Sequence, residues 1–200
     1  MYLIFRRLLL ITAAAALAVP GMQGQATTPK NTSQPEVDLA LTYANQYSNL
    51  VRGGNFWLQG GTAELSAGLY RGFGVVANVS GTRIENINGS GRDLTMITTA
   101  FGPRYTWETN SRKIAVFGET LIGESHGANS AFPTIRGFQT DSNSFALLLG
   151  GGIDLRLSRH FAVRPFQAEW LRTQFPNGTT NVQNNLRLES GIVLRFFGPF

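Results

Sequence analysis

The 200-residue chain contains no cysteine. Disulfide staples, thiol nucleophiles, cysteine-ligated metal sites and a lipid-modified N-terminal cysteine are therefore excluded. Lysine is almost as scarce. Of 17 basic residues only Lys30 and Lys113 are lysines, and charged residues make up only 14 % of the chain. A soluble β-protein clothes its wet face in lysine and glutamate, so this chain has no ordinary soluble exterior. The arginines behind the formal charge of +5 are scattered singly beyond Arg7. No basic run marks a nucleic-acid footprint, and nucleic acid is not expected as a partner. Two distant histidines, His126 and His160, make no recognisable metal site. No motif for a cofactor is present. A long apolar run is also missing. The longest, over 8–19, is broken by Thr12 and is short of the roughly 20 residues that a spanning helix needs.

That short run has another reading. In "FRRLLLITAAAALAV" two arginines precede it, giving the n-region and h-region of a secretory signal peptide. Gly24 and Ala26 supply the small residues that signal peptidase prefers. Residues 1–26 are therefore read as a signal peptide, with Ala18 as a second cleavage point. Residues 27–36, around "TTPKNTSQP", form a flexible lead-in. Residues 37–200 form one domain.

Glycine is abundant, at 23 residues, and no helix-period segment follows Pro35. The apolar period is two. Val37, Leu39, Leu41 and Tyr43 open the series. Trp57, Ala63, Leu65 and Ala67 follow, then Phe73, Val75, Ala77 and Val79. The pattern repeats in Ile97, Thr99, Phe101 and Tyr105, and in Ile114, Val116 and Ile122. The last three runs carry Phe145, Leu147, Leu149, Ile153 and Leu155; Phe166, Ala168 and Trp170; and Leu186, Leu188, Ile192, Leu194 and Phe196. Eight runs of about ten residues suit tilted strands crossing a bilayer. The connections alternate in length. Tight turns lie near Tyr70, Asn110 and His160, and long polar loops cover 46–55, 81–93, 124–143 and 173–184. Outer-membrane barrels place short turns in the periplasm and long loops outside.

The opposite face is mostly Gly, Ala, Ser, Thr and Asn, as a narrow lumen requires. Its charges are Glu64, Arg104, Glu119, Glu169, Arg187 and Glu189. Lone charges inside a barrel are costly, so these six are expected to form an interior ion-pair network. Aromatics cluster towards the strand ends. Tyr43, Tyr47, Trp57 and Trp170 lie on the long-loop side; Tyr70, Phe73, Tyr105, Trp107, Phe161 and Phe196 lie on the short-turn side. Two such belts match the interfacial girdles of a lipid-facing band. A closed barrel is the one strand assembly that satisfies every amide in hydrocarbon.

With "AFGPRYTW" (100–107), "RPFQAEWL" (164–171) and "NNLRLESGIVLRF" (184–196), the chain resembles the small outer-membrane β-barrels of the OmpA/OmpX-like group. The resemblance covers nearly the whole mature chain. It implies an all-β, eight-stranded, antiparallel, up-and-down transmembrane barrel in the bacterial outer membrane, with both termini periplasmic. Outer-membrane lipid and the barrel-assembly machinery are the implied partners. A terminal aromatic resembles the signal for that machinery, and Phe200 is the candidate, with Phe196 the alternative.

The expected role is structural, adhesive or a minor, porin-like permeability, through a mostly plugged polar interior. Any extracellular partner is unknown. The longest loop, with Phe132, Pro133, Ile135 and Phe138, either meets a partner or folds over the mouth. One alternative is an exported soluble β-barrel whose oily face lines a cavity for a small apolar ligand. A lipid-modifying hydrolase is a weaker one. Glu124, Ser125, His126 and Ser130 lie together in "ESHGANS", but the His-x-Ser arrangement of barrel deacylases is absent, and His160 is a turn residue. No enzyme is expected. Asn88 and Asn177, each before Gly, read as turns rather than glycan acceptors.

A barrel of this kind stays with membranes through a carbonate wash and migrates differently on a detergent gel before and after boiling. Release into the wash identifies the soluble alternative.

Overall fold

Extended chain with one apolar and one small or polar face can bury both only by curling into a cylinder. A computed structural model describes residues 36–50 and 54–197, and they do this. The proposed signal peptide, most of the lead-in, and Phe200 lie outside the described residues. The barrel strands are β1 (Val37–Ser48), β2 (Phe56–Tyr70), β3 (Phe73–Ile84), β4 (Leu94–Glu108) and β5 (Ile114–Ala128). Two short strands in the third long loop, β6 (Phe132–Thr134) and β7 (Gly137–Gln139), pair only with each other. Then follow β8 (Ser142–Arg156), β9 (Phe161–Thr173) and β10 (Gln183–Phe197). Every neighbouring pair is antiparallel, and the order β1-β10-β9-β8-β5-β4-β3-β2 closes on itself. The seam joins β1 to β10 from Val37↔Phe197 to Tyr47↔Leu186. No free edge of the barrel is left to meet hydrocarbon. Strands of 12–15 residues exceed the expected ten, and the long loops are correspondingly shorter than the alternation suggested.

The tightest connection is Arg71-Gly72. Both residues have positive φ, 48° and 85°, the twist of a two-residue hairpin turn. A Cβ on Gly72 would sit 2.5 Å from the Thr106 carbonyl oxygen.

Polarity is inside-out. Leu65, Val79, Phe101, Phe145, Leu149 and Phe166 point outward, Phe101 with 64 % of its surface exposed. Glu64, Arg104, Glu119, Arg164, Glu169 and Arg187 are buried within the cylinder. In water this arrangement would expose a band of bare hydrocarbon, so its solvent is lipid. A soluble barrel with an oily cavity has the reverse polarity.

The interior is not polar throughout, as the alternation suggested. Towards the long loops, Leu58, Leu94, Met96, Leu121, Leu148 and Leu171 point inward and pack together. Each of the four long loops adds one buried apolar side chain to this cluster: Leu50, Ile87, Phe132 and Phe175. The lumen is thus charged in its middle and apolar at one mouth.

One irregularity matters for the site. Within β9, Gln167↔Glu189 and Arg164↔Gly191 place three residues of β9 opposite two of β10, and the same surplus appears against β8. This is a β-bulge at Pro165, whose missing N–H makes a bulge its natural place in a strand. Counting strictly by twos from Phe166 would turn Arg164 to lipid. The bulge turns it inward, and it is almost completely buried.

Deleting Pro165 removes the surplus residue, and Arg164 then alternates directly with outward-facing Phe166 and still points into the lumen. We expect the variant to stay folded and to lose less than the about 3–5 kcal/mol that breaking a buried charge pair costs, measured as the urea midpoint by tryptophan fluorescence.

Candidate functional site

The candidate site is the lumen, built by inward residues of all eight barrel strands. Its centre is a set of guanidinium–carboxylate pairs. Arg104 on β4 donates to Glu64 of β2 at 2.5 Å, and through Nε to Glu119 of β5 at 2.8 Å. Arg164 on β9 donates from Nη1 to Glu64 at 2.8 Å and from Nε to Asp154 of β8 at 2.7 Å. Arg187 on β10 donates from Nε to Glu169 at 2.6 Å, and lies 2.9 Å from Glu189. It also donates to Ser80 and Asn78 of β3, at 2.5 and 3.4 Å.

Neutral groups join these pairs into one network. The Gln167 amide donates to Glu119 and Glu169 at 3.3 and 3.1 Å, while its oxygen accepts from Arg164. The hydroxyls of Thr42 on β1 and Thr62 on β2 each donate to Glu189 at 2.7 Å. Five carboxylates face three guanidinia here, and these amide and hydroxyl donors satisfy the acceptors that the arginines leave over. Phe117 supports the layer. Its ring lies 4.0 Å from the Arg104 guanidinium and 4.4 Å from that of Arg164.

Glu64, Glu119 and Glu169 bring carboxylate oxygens within 4.8 Å of one another. A hard cation could use such a cluster only if its charge were free. Here guanidinia already occupy the cation's place, so the constellation is an ion-pair layer and not a metal centre.

Two different ends flank this layer. At the long-loop mouth, the Phe132 and Phe175 rings lie 5.5 Å apart, tilted by 32°. Gly127 on β5 makes room for them. A Cβ there would sit 2.6 Å from the Phe132 ring and 3.2 Å from the Phe175 ring. At the short-turn end lies a cavity of about 550 Å³, lined by Asp38, Arg104, Phe117, Asp154, Arg156 and Arg195. Glu36, just before β1, reaches into it. Its carboxylate accepts from Arg156 at 2.8 Å and also pairs with Arg195. Arg156 in turn donates to Glu108 at 2.6 Å.

This architecture recurs in solved structures. The chain is similar to Ail of Yersinia pestis, with 18 % identity, 82 % of this chain and 99 % of Ail covered, and a TM-score of 0.56. Neisserial surface protein A gives 11 % identity, 81 % and 97 % coverage, and a TM-score of 0.61. OprG of Pseudomonas aeruginosa gives 9 %, 83 % and 98 %, and 0.52. The chain has the fold of the small eight-stranded outer-membrane barrels. No family model matches it, and no curated protein does.

All six charges singled out from the sequence point into this barrel and belong to the network. Sequence reasoning missed Arg164, Asp154 and Gln167. Pro165 in mid-strand was the signal that could have revealed Arg164. The loop residues Leu50, Ile87, Phe132 and Phe175 signalled themselves as lone apolar residues in polar segments. The girdle candidates Tyr43, Trp57, Trp170, Tyr70, Phe73, Tyr105, Trp107 and Phe196 all face outward and are exposed, while Phe161 is half-buried. Tyr43 pairs with Gly61 and Ser190 at mid-strand and so stands inside the band rather than at its edge. Ring contacts join Tyr47 to Trp57 at 5.0 Å and Phe73 to Tyr105 at 4.9 Å.

Ser125 and His126 of the Ser/His/Glu set do not converge. Ser125 faces the lumen and shares a hydrogen bond with Thr98 at 2.6 Å. The neighbouring His126 faces outward and bonds Asn143 through Nδ1 at 2.5 Å. Consecutive strand residues point to opposite faces, so this histidine cannot deprotonate that serine.

Replacing Arg104 with Ala leaves Glu119 with only the Gln167 amide and makes Glu64 depend on Arg164 alone for its cation. The barrel should lose about 3–5 kcal/mol in urea titrations in lipid vesicles. Combining Arg104→Met with Glu64→Gln and Glu119→Gln should recover most of that loss, because no buried charge is then left alone.

Proposed function

We propose that this protein is an integral barrel of the bacterial outer membrane that works as a sealed scaffold. Its role is to hold the long-loop face at the cell surface for adhesive or structural contact, and not to conduct solutes. One arrangement supports this reading: two layers of different chemistry cross the lumen. The apolar mouth gathers one buried side chain from each long loop, and the ion-pair layer beneath it draws side chains from all eight barrel strands. An eight-stranded cylinder is only wide enough for its own side chains. Steady permeability would require both layers to part.

The signal-peptide pattern over 1–26 supports export. The separation of Ser125 from His126 supports a non-enzymatic role. Among the proteins of similar fold, Ail is an attachment invasion locus protein and has been crystallised with the heparin analogue sucrose octasulfate. That likeness is one of fold. It is compatible with an adhesive role and does not specify a ligand for this chain.

Planar-bilayer recordings test the proposal. The wild type should show no steady conductance. Phe132→Ala with Phe175→Ala opens the apolar mouth and should stay silent, because the ion-pair layer still closes the lumen. Adding Arg164→Ala should produce small, cation-selective steps through the carboxylates left behind. Steady conductance in the wild type would overturn the reading.

A further inference from the structure

The longest loop divides its apolar residues. Phe132 is buried in the mouth, while Ile135, in the turn between β6 and β7, is fully exposed and Phe138 on β7 is 73 % exposed. Among the described residues, every other exposed large apolar side chain lies on a barrel strand or at a short turn. These two have no lipid band to face.

They are held in place. β6 and β7 pair through Phe132↔Gln139, Pro133↔Phe138 and Thr134↔Gly137. The Thr134 hydroxyl donates to the Gly137 carbonyl at 3.2 Å, and the Ser130 N–H to the Thr140 carbonyl at 3.3 Å. The tip is therefore preorganised. It is also collared by cations. Arg136 is exposed in the same turn, and the Arg92 guanidinium lies 5.7 Å from the centre of the Phe138 ring. Of the nearby acids, Glu85 and Asp93 share the one Arg83, at 3.1 and 3.3 Å, and Asp141 accepts from the Thr140 hydroxyl at 2.6 Å.

We infer that this hairpin is a membrane-insertion tip, which docks the long-loop face onto an apposed bilayer of anionic phospholipid. Area decides against a folded protein as the partner. A stable protein interface buries about 800 Å² on each side, and two apolar side chains with two arginines offer far less. A bilayer needs no matched surface. Ile135 and Phe138 can enter the boundary between headgroups and acyl chains while Arg92 and Arg136 meet phosphates. The inference rests on the reading of the long-loop face as the contact face, and names what it contacts.

The test uses the full chain in phosphatidylcholine nanodiscs, floated with separate vesicles. Wild type should rise with mixed phosphatidylcholine–phosphatidylglycerol vesicles, and far less with pure phosphatidylcholine. Ile135→Ser with Phe138→Ser should weaken vesicle binding by about a hundredfold or more, as loss of two buried apolar side chains requires. Arg92→Gln with Arg136→Gln should weaken binding to the charged vesicles only, as should high salt. Heat-modifiable migration verifies that each variant is folded. The inference is overturned if wild type does not float, if the serine variant floats equally, or if neutral vesicles serve as well. A protein that is silent in bilayers yet does not float would remove the lipid partner and leave the sealed scaffold standing.

Discussion

Closure of the sheet between β1 and β10 is the constraint from which the rest follows. In hydrocarbon no water can satisfy a strand edge, so eight antiparallel strands must meet their own beginning. Closure sets the width of the lumen, and an eight-stranded lumen has room for side chains and little else. Any charge pointing inward is then far from bulk water. Arg104, Arg164 and Arg187 are tolerable there only because carboxylates, amides and hydroxyls meet them from six of the barrel strands. The network is thus a consequence of closure, and it also ties together strands that are not neighbours in the sheet.

The two ends of the cylinder solve different problems. At the short-turn end, Glu36, Arg156 and Arg195 form ion pairs around a cavity of about 550 Å³, where partial access to water lowers the cost of charge. At the long-loop end the lumen would otherwise be an open well. Leu50, Ile87, Phe132 and Phe175 close it by burial, which needs no geometric pairing and so suits loops of unequal length. The same loop that supplies Phe132 leaves Ile135 and Phe138 outside, so one hairpin both anchors the closure and offers a surface.

How much of this could be read beforehand depends on range. Phe145, Leu147 and Leu149 against Ala146 betray their faces to anyone counting by twos, because the pleat acts between adjacent residues. For the same reason Glu64, Arg104, Glu119, Glu169, Arg187 and Glu189 could be placed inside. Their pairing partners could not be assigned, since Arg187 meets Asn78 and Ser80 across the barrel through register and tilt. Arg164 escaped because a bulge breaks the count at Pro165. Leu58, Met96, Leu121, Leu148 and Leu171 also escaped. Each reads as an exception in its own strand, and only together do they form a layer.

The sequence by itself determined the strand count, the inside-out polarity and the alternation of short and long connections, because each is dictated by neighbours along the chain. Tertiary structure alone decided which carboxylate meets which guanidinium, that one mouth is apolar, and that Phe132 turns in while Ile135 and Phe138 turn out. Those outcomes depend on distances between residues far apart in sequence, and only closing the cylinder brings them within reach of each other.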